Sequence, residues 1–141
     1  MNNGKRYWLT PPGLELEVRK IIGGDYFDPC PYPRTGFDAL VENWGKPWYI
    51  NPPFTIGDGG PTRFIRRAIE IGGPGVAVFS VNSVIDAILR ANHELGMAIE
   101  LRPLGRVRWL ECETKEPMPS PGLYALAIFK STSGLMKPGD E

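Results

Sequence analysis

Four residues near the middle of the chain carry the most distinctive chemistry: Asn51-Pro52-Pro53-Phe54. The amide of Asn51 offers a donor and an acceptor. The two prolines fix φ and remove two backbone donors, which leaves carbonyls projecting. The ring of Phe54 offers a flat face for stacking. Together they suit a planar, amino-bearing group, held by hydrogen bonds from its NH2. A second polar strand end is expected at Asp28-Pro29-Cys30, and a third polar junction at Trp8-Leu9-Thr10-Pro11-Pro12. Ligands of open α/β sheets bind beyond the carboxyl ends of strands, so Asp28 and Asn51 are expected at one sheet edge.

The elements that must position these residues can be read from periodicity and breakers. Thr10 is placed to cap a helix starting at Pro11 or Pro12, with Leu14, Val18, Ile21 and Ile22 on one face and Gly23-Gly24 as its stop. Asp25 to Cys30 reads as a short strand, and Phe37 to Leu40 as a turn or short helix. Pro47 to Ile50 reads as the strand that delivers Asn51. A loop from Thr55 to Gly60 leads to a helix running to Ile71, with Phe64, Ile65, Ala68 and Ile69 inward. Val76 to Val81 is the apolar run of a strand buried on both faces. Ser83 is expected to cap a helix to Leu95, and Ala98 to Leu101 forms another strand. Residues 102–121 form an insertion with a short strand near Val107 to Leu110, and Leu123 to Phe129 is the last strand. This alternation predicts an α/β sheet, mostly parallel with an antiparallel strand near the C-terminus, flanked by helices. One domain is expected over residues 1–130, followed by a tail at 131–141.

Composition bounds the alternatives. The formal net charge is zero, with 16 basic and 16 acidic residues, which argues against strong non-specific phosphate binding. Two cysteines and a single histidine, His93, argue against a disulfide framework, a structural metal or a His-based triad. No apolar run approaches a membrane span, and the first residues lack a signal-peptide core. A reduced, cytoplasmic protein is the expectation. Arg102, Arg106, Arg108 and Trp109, in the insertion, are the first candidates for nucleic-acid contact. Arg63, Arg66 and Arg67, just after the Asn51 loop, are the second.

The ordered set Trp8-Leu9-Thr10-Pro11-Pro12, Phe27-Asp28-Pro29-Cys30, Phe37-Asp38-Ala39-Leu40 with Trp44, and Tyr49-Ile50-Asn51-Pro52-Pro53-Phe54 resembles the phage-type (Dam-like) DNA adenine-N6 methyltransferases. The resemblance spans roughly residues 7–130 and implies a compact Rossmann-like sheet and methyl transfer from S-adenosylmethionine to the N6 amine of a flipped adenine in DNA. On that resemblance Asn51, Pro52, Pro53 and Phe54 are catalytic: Asn51 and the Pro52 carbonyl accept from the amine and Phe54 stacks on the base. Trp8, Thr10, Pro11, Asp28, Pro29, Cys30 and Asp38 belong to the cofactor half, with Asp28 near the methionine amino group and Asp38 near the ribose or the cofactor adenine. A phage-encoded enzyme would work in the host cytoplasm. The glycine-rich first loop of many methyltransferases is absent: Gly23 and Gly24 precede the strand. Two alternatives stay open. The same chemistry serves adenine in RNA or a glutamine amide in a protein, and a shortened relative could bind DNA or cofactor without turnover.

Overall fold

A computed structural model describes residues 8–33, 35–52, 61–81, 84–118 and 122–131. In chain order the elements are β1 (Trp8–Leu9), α1 (Pro12–Ile22), β2 (Trp48–Ile50), α2 (Thr62–Ile71), β3 (Gly75–Ser80), α3 (Val84–Glu94), β4 (Ile99–Gly105), β5 (Leu110–Glu111) and β6 (Tyr124–Phe129). The expected roles of Pro53 and Phe54, the 55–60 loop, the Ser83 cap and the tail from 132 onward lie outside the described residues.

The main sheet has the order β2-β3-β6-β4. β2 runs parallel to β3, while β6 lies between β3 and β4 and is antiparallel to both. The expected mostly parallel, Rossmann-like sheet is therefore wrong: the sheet is mixed, and most of its ladders are antiparallel. Two local causes produce this. Among the described residues no helix separates β4 from β6, and β6 enters the sheet from the end at which β4 leaves it, as their antiparallel pairing requires. β6 is also inserted between neighbours and not added at an edge, so it makes an antiparallel ladder on each side. The expected strand at Asp25 to Cys30 contributes little, because it reduces to a single parallel bridge between Phe27 and Trp48. A second, two-stranded sheet pairs β1 with β5 antiparallel, Trp8 opposite Glu111 and Leu9 opposite Leu110.

The alternation of side chains about the sheet divides the core in two. On one face, Trp48, Ile50, Ala77, Phe79, Ala127 and Phe129 pack against Phe64, Ile65 and Ala68 of α2 and Ile88 and Ala91 of α3. On the other, Tyr49, Val76, Val78, Leu126 and Ile128 pack against Val18 of α1 and against Val107 and Trp109. All six residues of β6 are buried, as a strand paired on both edges and covered on both faces must be. Gly75 allows β3 to pass close to β2: a Cβ there would lie 2.1 Å from the Trp48 ring.

One expectation at a helix start and one at a strand end change. α1 begins at Pro12 with Pro11 as its N-cap, and no side chain caps it. The Thr10 hydroxyl is used elsewhere, as described below. α1 ends as expected, with Gly23 at φ 93° and its N–H donating to the Arg19 carbonyl. β4 is longer than Ala98 to Leu101, running through Pro103 to Gly105. That is an edge position, where a missing N–H is tolerated.

Candidate functional site

The parallel β2–β3 pair sets the edge at which the candidate residues gather. Phe27 bonds across β2, its N–H donating to the Pro47 carbonyl and its carbonyl accepting from Tyr49 N–H. Asp28 to Cys30 and Asn51-Pro52 therefore leave the same end of adjacent, parallel segments. β1 crosses above that end. The Asn51 Nδ2 donates to the Trp8 carbonyl at 2.5 Å, and the Thr10 hydroxyl shares a hydrogen bond with the Tyr49 hydroxyl at 2.8 Å. A carbonyl can only accept, so this contact fixes which way the Asn51 amide points. Its nitrogen is committed to Trp8, and its oxygen faces away. That oxygen, Oδ1, is buried and has no hydrogen-bond partner among the described residues. Pro52 follows, itself buried.

Tyr49 is buried, and burial is the main cause that pushes its hydroxyl pKa up, with the Thr10 hydrogen bond partly opposing it. The Tyr26 ring meets Tyr49 edge-on, centroids 5.3 Å apart. The Tyr26 hydroxyl donates to Glu15, and its pKa is pushed up to about 12, first by desolvation and then by the Glu15 charge. Arg19 lies over the Tyr26 ring at 4.8 Å and also reaches Glu15 and Asp25. Glu15, Arg19, Tyr26 and Tyr49 thus form one cluster that ties α1 to β2 just before Asn51. It was legible in part, because Glu15 and Arg19 stand at helical i,i+4 spacing. The Trp8 carbonyl was not legible, since any residue there supplies a carbonyl.

The residues expected to hold a cofactor divide into two groups. Trp8, Thr10 and Pro11 lie on the β1 side; Asp28 begins the turn that follows Phe27. Asp28 Oδ1 accepts from Cys30 N–H at 2.9 Å, an Asx turn. Its carboxyl pKa is raised, chiefly by desolvation, with the Cys30 N–H pulling it down and Glu15 adding like charge. Asp28 keeps solvent exposure, so water limits that shift. Pro29, Cys30 and Asp38 line a cavity of about 280 Å³ together with Phe37, Arg63 and Phe64. Asp38 closes its own turn, accepting from Leu40 N–H through Oδ1 and from Val41 and Glu42 through its carbonyl. Phe37 to Leu40 is thus a turn, not a helix.

The seven residues expected at nucleic acid are used differently from one another. Trp109 is fully buried, its ring edge-on to Tyr124 at 5.2 Å, so no face is free for a base. Arg102 reaches Glu100 at 3.0 Å and Glu17 of α1 at 3.7 Å. Arg67 donates to the carbonyls of Val41 and Glu42 and pairs with Glu70, fastening α2 to the 38–42 turn. Arg63 lines the cavity. Arg66, Arg106 and Arg108 are exposed.

Among the described residues no helix is long and apolar enough to cross a membrane, and no group of three or more His, Cys, Asp or Glu side chains is placed to hold a metal ion. Comparison with protein-family models, curated proteins and solved structures finds no match to the chain.

Proposed function

We propose that the chain is an S-adenosylmethionine-dependent methyltransferase acting on the exocyclic amine of adenine in DNA. One observation carries the reading: the Asn51 amide is locked by its nitrogen to the Trp8 carbonyl, while its buried oxygen has no partner among the described residues. A buried acceptor left unpaired costs about 1–3 kcal/mol, and such a cost persists where a ligand's donor satisfies it. An amine NH2 is such a donor. Accepting a hydrogen bond from one of its N–H groups, Asn51 would hold the nitrogen so that its lone pair points away from the amide. Positioning of this kind, with developing positive charge met by a fixed acceptor, is the main help that a nitrogen nucleophile needs. No side chain has to remove a proton before attack, because the nitrogen becomes acidic only as it gains its substituent. The prolines contribute carbonyls without competing donors.

The cofactor side fits in part. Asp28 and Thr10 flank Asn51 at the same edge, and the cavity lined by Cys30, Asp38 and Arg63 is of a size for one end of a nucleoside-containing ligand. When bound, S-adenosylmethionine supplies an electrophilic methyl group on sulfur.

A second reading draws on the arginines. Arg67 and Arg102 are engaged within the fold and Trp109 is buried. That removes three of the expected DNA contacts and favours a planar amide in a protein as acceptor; an RNA adenine is the other acceptor that the same chemistry serves. One experiment addresses both. Labelled methyl transfer from S-adenosylmethionine is measured to duplex DNA, single-stranded DNA, RNA and a glutamine-bearing peptide. DNA is expected to be labelled at adenine N6, and Asn51→Ala to lower transfer by about 10²-fold or more with cofactor binding retained. Labelling of RNA or peptide alone would select the second reading. Absence of labelling in every arm, with cofactor bound, would refute the enzyme.

A further inference from the structure

Arg63 sits one residue into α2, beside the cavity of about 280 Å³ and not on the open face of that helix. Its guanidinium carbon lies 5.3 Å from the centre of the Phe64 ring, and its Nε is buried with no hydrogen-bond partner among the described residues. Its neighbour in the sequence, Arg66, is exposed, and Arg67 is spent on carbonyls of the 38–42 turn. Arg66 borders a different cleft with Asp86, Arg90 and Glu94, so among the arginines of this helix it is Arg63 that lines the cavity containing Cys30 and Asp38. Asp38, Phe37, Pro29 and Cys30 belong to the same lining. A phosphate of a nucleic-acid backbone approaches from solvent and would be met better by Arg66.

The lining of this cavity mixes apolar side chains, among them Phe37, Leu40 and Phe64, with Thr35, whose hydroxyl can donate or accept, and with Asp38 and Arg63. Arg63 can only donate, and the Asp38 carboxylate can only accept. A nucleoside matches that set: its purine ring nitrogens and ribose ring oxygen accept, and its hydroxyls and amino group donate. A planar guanidinium also lies well against a planar base. The amino-acid end of the cofactor has its expected partners elsewhere, at Asp28 and Thr10.

Resting on the methyltransferase reading, we propose that Arg63 is a cofactor-binding residue that donates hydrogen bonds to the nucleoside end of S-adenosylmethionine, and is not a phosphate contact. The test is equilibrium binding of two ligands to the intact chain. S-adenosylhomocysteine carries nucleoside and amino acid; 5′-methylthioadenosine carries the nucleoside alone. Arg63→Gln is expected to weaken both by the same factor, roughly 10- to 100-fold, with Arg63→Lys in between. The salt dependence of DNA binding should not change. Three outcomes overturn the assignment. If Arg63→Gln weakens only S-adenosylhomocysteine, the residue holds the amino-acid end. If both affinities stay at the wild-type value while the salt slope falls by about one, it is a phosphate contact. If the wild-type chain binds neither ligand, the methyltransferase reading falls with it. A circular-dichroism melt of each variant separates loss of binding from loss of fold.

Discussion

The orientation of one amide, that of Asn51, sets which group the strand end can hold. Asparagine at position 51 can satisfy a carbonyl on one side and present an acceptor on the other, because its two polar atoms differ in kind. Aspartate cannot. In Asn51→Asp a carboxylate oxygen would replace the nitrogen that now donates to the Trp8 carbonyl. Acceptor would face acceptor, and the charge would be partly desolvated. The introduced carboxyl should have a folded pKa above its unfolded value near 3.9. The penalty is then absent below the unfolded value, grows as pH rises, and is complete above the folded one. Urea titrations at neutral pH should show Asn51→Asp less stable than Asn51→Ala by about 1–3 kcal/mol, with the gap closing at acid pH. Equal stability of the two at neutral pH would show that the amide is not held as described. The sequence exposed Asn51 as unusual through its prolines, but its partner is a backbone carbonyl contributed 43 residues earlier. No residue type announces such a contact. The same limit explains Trp109: an aromatic among arginines looks like a stacking platform, yet it is buried under Tyr124. Local composition does not say which face of a short segment meets the sheet.

At the scale of elements, the β1–β5 ribbon is what brings the N-terminal segment over the strand ends. It is short, with two residues paired on each side, so side-chain contacts must help hold it. The Thr10–Tyr49 hydrogen bond is one such contact and lies two residues from the carbonyl that orients Asn51. Tyr49→Phe keeps the ring packed against Tyr26 and removes only the hydroxyl. The expected cost is about 0.5–1.5 kcal/mol. Amide exchange across residues 8–11 should accelerate, and turnover should fall several-fold while cofactor affinity holds. Unchanged exchange at Leu9 and Thr10 would mean that the ribbon is held by other contacts. Most helices and strands were readable from periodicity: α2 starts at Thr62 and ends at Ile71 as its apolar spacing indicates. The pairing order was not readable. An apolar run such as Tyr124 to Phe129 shows that a strand is buried, and neither its direction nor its neighbours. The insertion of β6 between β3 and β4 follows from a non-local connection, and local spacing carries no signal for it.

For the whole molecule, zero net charge conceals an organised distribution. Arg19, Arg67, Arg90, Arg102 and Lys130 are each paired with a carboxylate of the same chain, which is why a tally of arginines overstated the charge available to a polyanion. The clearest network spans three elements. Glu100 on the edge strand β4 accepts from Lys130, just past β6, and from Arg102, each at 3.0 Å, while Arg102 also reaches Glu17 on α1. The hydrogen bond from Lys130, followed by that from Arg102, holds the Glu100 pKa below the ordinary 4.5. For a carboxylate with a depressed folded pKa, the stabilisation is present above the unfolded value and is lost as pH falls through the folded one. The groups are exposed, so the effect is small and screened by salt. Glu100→Gln removes that titration. Compared at low ionic strength, the wild-type chain should exceed Glu100→Gln in urea midpoint near neutral pH, and the two curves should converge as pH drops below about 4. Adding salt to about 0.5 M should shrink the neutral-pH difference. A difference that persisted unchanged at acid pH and high salt would assign the role of Glu100 to packing along the β4 edge, not to its charge.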